Sequence, residues 1–217
     1  MVITGEIIYE DYKNALLEGD KLKCKSIIDR LIAQEADILT VYQDFFQRSL
    51  YDIGEMWEKN EISVASEHLA TSITGNLMTL FYPVIFSAEK KGYKAIITCL
   101  AHEYHQIGAK MVADIFEIEG WDTYFLGANT PAKELLRFIS ENEPDVLAIS
   151  LAIYSNYPRL MELIKLVQEH YPDLLIMVGG QAFKRATFDI LADYPKVKYI
   201  SSIEQLQKIL NEKKLFS

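Results

Sequence analysis

The sequence is poor in cysteine, with two in 217 residues. Cys24 and Cys99 stand far apart and in no metal-type spacing, which excludes a disulfide framework or a zinc ribbon by count alone. Cys99 lies in an apolar run and reads as a small buried hydrophobe rather than a nucleophile. No apolar run approaches the length of a membrane span. The N-terminus carries acids where a signal peptide carries positive charge. The expectation is a soluble, cytoplasmic protein with no membrane association. Clustered positive charge is lacking too: the formal net charge is −9. The densest basic groups, Lys21/Lys23/Lys25 and Lys213/Lys214, read as solvated helix faces. Direct nucleic-acid binding is therefore not expected.

Several catalytic signatures are also missing. There is no GxGxxG, which disfavours a dinucleotide fold, and no GxxxxGK[ST], which excludes a P-loop. No acid pair closes the first candidate strand and no lysine closes the fifth, unlike a phosphoryl-accepting receiver. His102-Glu103-Tyr104-His105 is one residue short of the HExxH of a zinc protease. No nucleophile–base pair or poised carboxylate pair is visible, so catalysis by this chain alone is not expected.

What is present falls into two halves. Residues 1–90 read as four helices: Glu6 to Leu17, a second from the Asp20 cap to Ala33, Asp37 to Trp57 with a break at Gly54, and Ile62 to Lys90. Leu22, Ile27, Ile28, Leu31 and Ile32 recur at helical steps and predict a buried stripe on the second. The fourth is apolar nearly all round and should be central. Four helices with short links imply a bundle. Residues 91–217 alternate β-branched runs with amphipathic stretches. Candidate strands are Lys94–Leu100, Asp122–Leu126, Val146–Leu151, Leu174–Val178 and Val197–Ile200. Candidate helices are His105–Glu119, Ala132–Asn142, Arg159–Tyr171, Lys184–Ala192 and Ile203–Asn211. Thr130-Pro131 should cap and start the second of these. The expected fold is a helical-bundle cap followed by a five-stranded parallel, doubly wound α/β domain.

In such a sheet, ligands bind at the carboxyl ends of the strands. The loop after the first strand carries Glu103, His105 and Gly108. Ser150 ends the third strand, and Gly179-Gly180 ends the fourth. Taken singly, these residues fit a capped histidine and ordinary turn glycines. Their spacing adds information: Glu103-x-His105-x-x-Gly108, 41 residues, Ser150-Leu151-Ala152, 26 residues, then Gly179-Gly180. This resembles the DxHxxG–SxL–GG signature of cobalamin (vitamin B12) binding domains of the base-off/His-on type. The helical half carries Trp57, nine residues, then Glu67-His68, which resembles the cap of the cobalamin-dependent light sensors and their repressor relatives.

The resemblance implies roles residue by residue. His105 would be the lower axial ligand to cobalt, an apt use of neutral imidazole. Glu103 would hold the other ring nitrogen. Ser150 would bond the displaced nucleotide tail, with Gly108, Gly179 and Gly180 letting the tail pass. Trp57 would cover the upper face, and Glu67 and His68 would contact an upper ligand such as adenosyl. Adenosylcobalamin is the expected form, with methylcobalamin or hydroxocobalamin as alternatives. Glu103 stands where most of the superfamily has Asp. Ala152 replaces the leucine of SxL. Glu58 stands where the best-known light-sensing repressors have a cobalt-capturing His. Since the sequence opens at the bundle, the expectation is a protein without their DNA-binding domain.

Three functions follow from this reading. One is a stand-alone cobalamin sensor or antirepressor, a photoreceptor of the transcription-regulating type that signals through a protein partner or as a homo-oligomer. The second is a corrinoid carrier subunit serving a methyltransferase. The third is a relative that holds haem through His105; retention of the whole tail-pocket set speaks against it.

Overall fold

A computed structural model describes residues 3–185 and 194–212. The chain divides into two compact units, Met1–Pro83 and Val84–Ser217.

The first unit is helical: α1 (Ile3–Glu18), α2 (Lys21–Ala33), a continuous rod of α3 (Ile38–Thr40), a wider-wound stretch Val41–Gln47 and α4 (Arg48–Glu58), and then α5 (Val64–Met78). A 3-10 turn at Thr79–Phe81 leads into the short α6 (Tyr82–Ile85). Asp20, Asp37 and Ser63 cap their helices by accepting from the backbone N–H three residues on. In the wide stretch the Arg48 N–H reaches back five residues to Gln43. The extra residue per turn accompanies burial of Val41, Tyr42, Phe45 and Phe46 on one side. These rings pack edge-on with Tyr12 and Phe81, so the core of this unit is largely aromatic.

Three expectations for this unit are corrected. Gly54 does not break the helix: α4 runs through it, and a Cβ there would touch nothing. Leu22 is 82% exposed, outside the stripe formed by Ile27, Ile28 and Leu31. The fourth helix ends at Met78, and Leu69, Val84 and Phe86 are exposed rather than central.

The second unit contains five strands: β1 (Lys94–Cys99), β2 (Asp122–Gly127), β3 (Val146–Ser150), β4 (Leu175–Gly179) and β5 (Val197–Ile200). All pair in parallel in the order β2-β1-β3-β4-β5. Parallel strands need crossover helices. These are α7 (Ile107–Ile118), α8 (Ala132–Asn142) and α9 (Tyr157–His170), with α10 (Ile203–Asn211) closing the chain. The residues of α8 and α9 bury one face of the sheet through Leu135, Ile139, Leu160, Ile164 and Val167 against Ile96, Leu147, Ile149, Ile176 and Val178. Each such side chain stabilises by about 1.5–3 kcal/mol. α7 packs on β1 and β2 and meets α10. Strands buried on both faces read as continuous β-branched runs, which is why β1, β3 and β4 were legible.

Thr130 does not cap α8. Pro131 occupies the cap position, and the Thr130 hydroxyl instead meets Thr98 Oγ1 at 2.8 Å. The expected helix Lys184–Ala192 lies mostly outside the described residues; Gln181–Arg185 forms a 3-10 turn. The chain passes from β1 to β2 on one side and then returns to β3 on the other. The switch point of the sheet therefore lies between β1 and β3, at their carboxyl ends.

Candidate functional site at the sheet switch point

Between β1 and α7 the chain makes a polar loop, residues 100–106, fixed by its own backbone. The Glu103 N–H donates to the Leu100 carbonyl at 3.1 Å. His102 and Asn129 both take the left-handed conformation, φ +66° and +54°, which polar residues of these types tolerate best. They tie the β1 and β2 loops together: the His102 N–H donates to Asn129 Oδ1 at 2.8 Å, and the Asn129 N–H donates to the Glu103 carbonyl at 3.0 Å.

The centre of the loop is the fully buried carboxylate of Glu103. Its Oε1 accepts from His105 Nδ1 at 2.6 Å and from the His105 N–H at 3.2 Å. Its Oε2 accepts from the N–H groups of Ala152 and Ile153 at 3.2 and 3.0 Å, and from Asn156 Nδ2 at 3.4 Å. Burial alone would raise this carboxyl's pKa. The hydrogen bonds from His105 and Ile153 outweigh it and hold the pKa near 2. An ionised carboxylate has only acceptors, so Nδ1 must be the donor. In the neutral ring, Nε2 then carries the lone pair, the tautomer that could ligate a metal. The side chain of His105 is 41% exposed. The constellation is a solvent-facing imidazole on a buried anion that bridges the loops after β1 and β3.

The other expected residues gather around it. Cys99, Ser150, Gly179 and Ile200 sit side by side across the sheet end. Gly108 lies in the first turn of α7, where an added Cβ would meet only Ser150 Oγ, at 3.8 Å. A Cβ on Gly108 would thus lie in ordinary contact with the Ser150 hydroxyl. Gly180 has φ +113°, and a Cβ there would sit 2.2 Å from the Leu151 carbonyl oxygen; one on Gly179 would sit 2.9 Å from that of Ile200. These two glycines are required by the close approach of the chain to itself. Burial pushes the Cys99 thiol up to about 12, with the Glu103 charge adding to it, in keeping with an inert small hydrophobe.

In the helical unit, Trp57 lies near the end of α4 and is 40% exposed, so it is not a core tryptophan. Glu67 and His68 lie in the first turns of α5. Glu67 accepts from Thr71 Oγ1 at 2.9 Å and pairs with His68 Nδ1 at 2.7 Å; the His68 side chain is 71% exposed.

Sequence reasoning missed Asn129 and Asn156. Asn156 is 5% exposed and touches Glu103, the His102 carbonyl and Arg159. No motif marks it; its burial beneath the loop after β3 becomes visible only in three dimensions.

The donor set suits cobalamin. A ligating imidazole needs its second nitrogen held by an acceptor. His105 on Glu103 meets that need, and the exposed Gly108 lies beside the Ser150 hydroxyl.

Comparison with known proteins agrees with this geometry. A B12 binding domain model matches residues 93–205, and a second B12 binding domain model matches residues 8–81. The HTH-type transcriptional repressors CarH and CarA of Myxococcus xanthus are 24% and 26% identical over 75% and 90% of this chain. The matches cover 54% and 64% of those repressors, so the chain spans less than two thirds of their length. The trimethylamine corrinoid protein 1 of Methanosarcina acetivorans is 21% identical over 81% of this chain and 83% of its own. Among solved structures, the monomethylamine corrinoid protein of Methanosarcina barkeri superposes with a TM-score of 0.81 at 14% identity, over 94% of this chain and 97% of its own. A chain of the methanol:cobalamin methyltransferase complex MtaBC of the same organism gives 0.53 at 16% identity, over 98% and 81%. With family models matching both halves, the chain belongs to the B12 binding domain family.

Proposed function

We propose that this protein is a cobalamin-dependent sensory or regulatory protein that signals through a protein partner or through self-association. His105 Nε2 would be the lower ligand to cobalt. Glu103 would keep the ring in the ligating tautomer and fix its direction. Ser150 would donate to or accept from the nucleotide tail, and Gly108 would leave that tail room, whereas Gly179 and Gly180 serve the close approach of the protein's own backbone. In the helical unit, Trp57, Glu67 and His68 would serve the upper ligand. When bound, adenosylcobalamin supplies a cleavable cobalt–carbon bond. Residues that contact only the intact upper ligand give the differential interaction a switch requires.

The observation that carries the sensory reading is the solvent-exposed Trp57, followed on the next helix by the Glu67–His68 pair. A large flat ring and a polar pair suit a bulky adenosyl group, with its flat base and polar edges, better than a methyl group. A carrier role in a methyltransferase system is the second reading. It is supported by the trimethylamine corrinoid protein, which this chain matches over most of both lengths.

The test is to add adenosylcobalamin to the purified protein in the dark, record its visible spectrum, illuminate, and follow size by gel filtration, with His105→Ala alongside. A His-ligated spectrum that His105→Ala loses, and a light-dependent change in assembly, are expected. Equal uptake of methylcobalamin with no change in assembly would replace the sensory reading with the carrier. No uptake of any cobalamin would overturn both.

A further inference from the structure

Asn156 stands between groups of opposite hydrogen-bonding character. On one side are the Glu103 carboxylate, 3.4 Å from Nδ2, and the His102 carbonyl, 3.5 Å from Nδ2. Both are acceptors only. On the other side the guanidinium of Arg159, a donor only, lies 2.7 Å from Oδ1. The two ends of a carboxamide are nearly the same size, so shape alone does not choose between its two orientations. Chemistry does. One orientation satisfies all three neighbours, and the flipped one sets oxygen against oxygen twice and donor against donor once. The amide is 5% exposed, so a flipped form would leave buried polar groups unsatisfied. The contact across the amide is the short, charge-assisted one, and it comes from an exposed residue near the start of α9.

We propose that Arg159 is a positioning residue for His105: together with the two acceptors it fixes the Asn156 amide, whose NH2 group adds a further donor to Glu103 Oε2 and so steadies the carboxylate that holds His105 in its Nδ1–H tautomer. This deepens the cobalamin reading, in which that tautomer presents Nε2 to cobalt. A carboxamide carries orientation and no proton, so Arg159 acts through geometry. Its position on the surface also places a control point for the buried carboxylate where a partner's acid could compete for the guanidinium.

The experiment uses the full chain without cofactor, with 15N-labelled side chains, in wild type, Arg159→Leu, Arg159→Lys and Asn156→Asp. NMR reads the His105 ring nitrogens and the Asn156 amide group. Wild type should show a single Nδ1–H pattern and a distinct, slowly exchanging amide pair. Arg159→Leu should speed amide exchange and loosen the Nδ1–H contact to Glu103, shifting the His105 ring nitrogen signals, and Arg159→Lys, which keeps a donor-only cation, should keep both near wild type. Asn156→Asp should disturb His105 as Arg159→Leu does. With hydroxocobalamin as probe, Arg159→Leu should raise Kd about tenfold, the lower end of what outer partners of a metal-binding histidine contribute. Unchanged His105 and Asn156 signals in folded Arg159→Leu would overturn the proposal. If no form binds hydroxocobalamin, the cobalamin reading fails by itself, while the cofactor-free spectra still decide the role of Arg159.

Discussion

Glu103 and His105 are two residues apart, yet their 2.6 Å contact depends on a backbone segment some fifty residues further on. The carboxylate cannot turn toward the ring at will, because its other oxygen is pinned by the N–H groups of Ala152 and Ile153. The histidine at the end of β1 is therefore oriented by the end of β3. That relationship exists only because these strands are neighbours at the switch point of the sheet.

Glu103→Gln should damage binding more than folding. The amide would keep its oxygen on the backbone donors and present an NH2 group to Nδ1. His105 would then accept at Nδ1 and carry its proton on Nε2, the nitrogen needed for cobalt. Cobalamin affinity should fall by about 10–100-fold, read by titration of the visible spectrum. A Glu103→Gln protein that binds as tightly as wild type, with an unchanged His-ligated spectrum, would remove the tautomer argument.

Acid should weaken the α/β unit through the same carboxyl. Its pKa is lowered in the folded state from 4.5 to about 2. A depressed pKa contributes stability that is fully present above the unfolded value and is lost as pH falls toward the folded one. Between pH 5 and pH 2 the wild type should lose on the order of 3 kcal/mol from this group. Urea titrations at several pH values should show this slope, and Glu103→Gln should show a shallower one. Parallel slopes would mean that Glu103 is not held ionised by its neighbours.

The glycines separate by what their missing Cβ would meet. Gly180→Ala forces a side chain into a positive-φ position against the Leu151 carbonyl and should cost about 2–4 kcal/mol. Gly108→Val adds a side chain to the open side of the first turn of α7. It should leave thermal stability within about 1 kcal/mol while weakening cobalamin uptake. Thermal melts and spectral titration on the two variants check the contrast. Equal loss of stability in both would mean that a side chain at position 108 does not fit beside Ser150.

The sheet was legible because β1, β3 and β4 are buried on both faces and announce themselves as apolar runs. The constellation Glu103, His105, Gly108, Ser150 and Gly179-Gly180 was legible because its members lie at the ends of β3 and β4 or in the loop and first helical turn after β1, where spacing along the chain becomes adjacency at the carboxyl edge of the sheet. The helical unit was read less well. A wide turn at Val41–Gln47 changes the phase of the rod, and α5 is shorter than its apolar run, because exposed Leu69, Val84 and Phe86 extend the hydrophobic pattern beyond the core. Thr130 shows the limit of local rules. A good capping residue was claimed instead by Thr98, 32 residues away, which no local window contains. Asn129 and Asn156 were invisible for the same reason, since their partners are set by loops that meet only after the sheet forms.

Trp57 offers the sharpest separation of the two functions. Trp57 is 40% exposed, so Trp57→Ala should cost the helical unit about 1–3 kcal/mol for the covered part of the ring and leave it folded. If it serves a bulky upper ligand, the same change should weaken adenosylcobalamin binding while leaving methylcobalamin nearly unaffected, because a methyl group is too small to meet the ring. The measurement is a pair of dark titrations on wild type and variant, with Glu67→Gln as a second probe of the polar side. Equal losses for both cobalamins would place Trp57 in the protein's general packing and remove the main support for a sensor. A loss confined to adenosylcobalamin would mean that the protein distinguishes the intact upper ligand from its smaller counterpart, the discrimination on which a cobalamin-state switch depends.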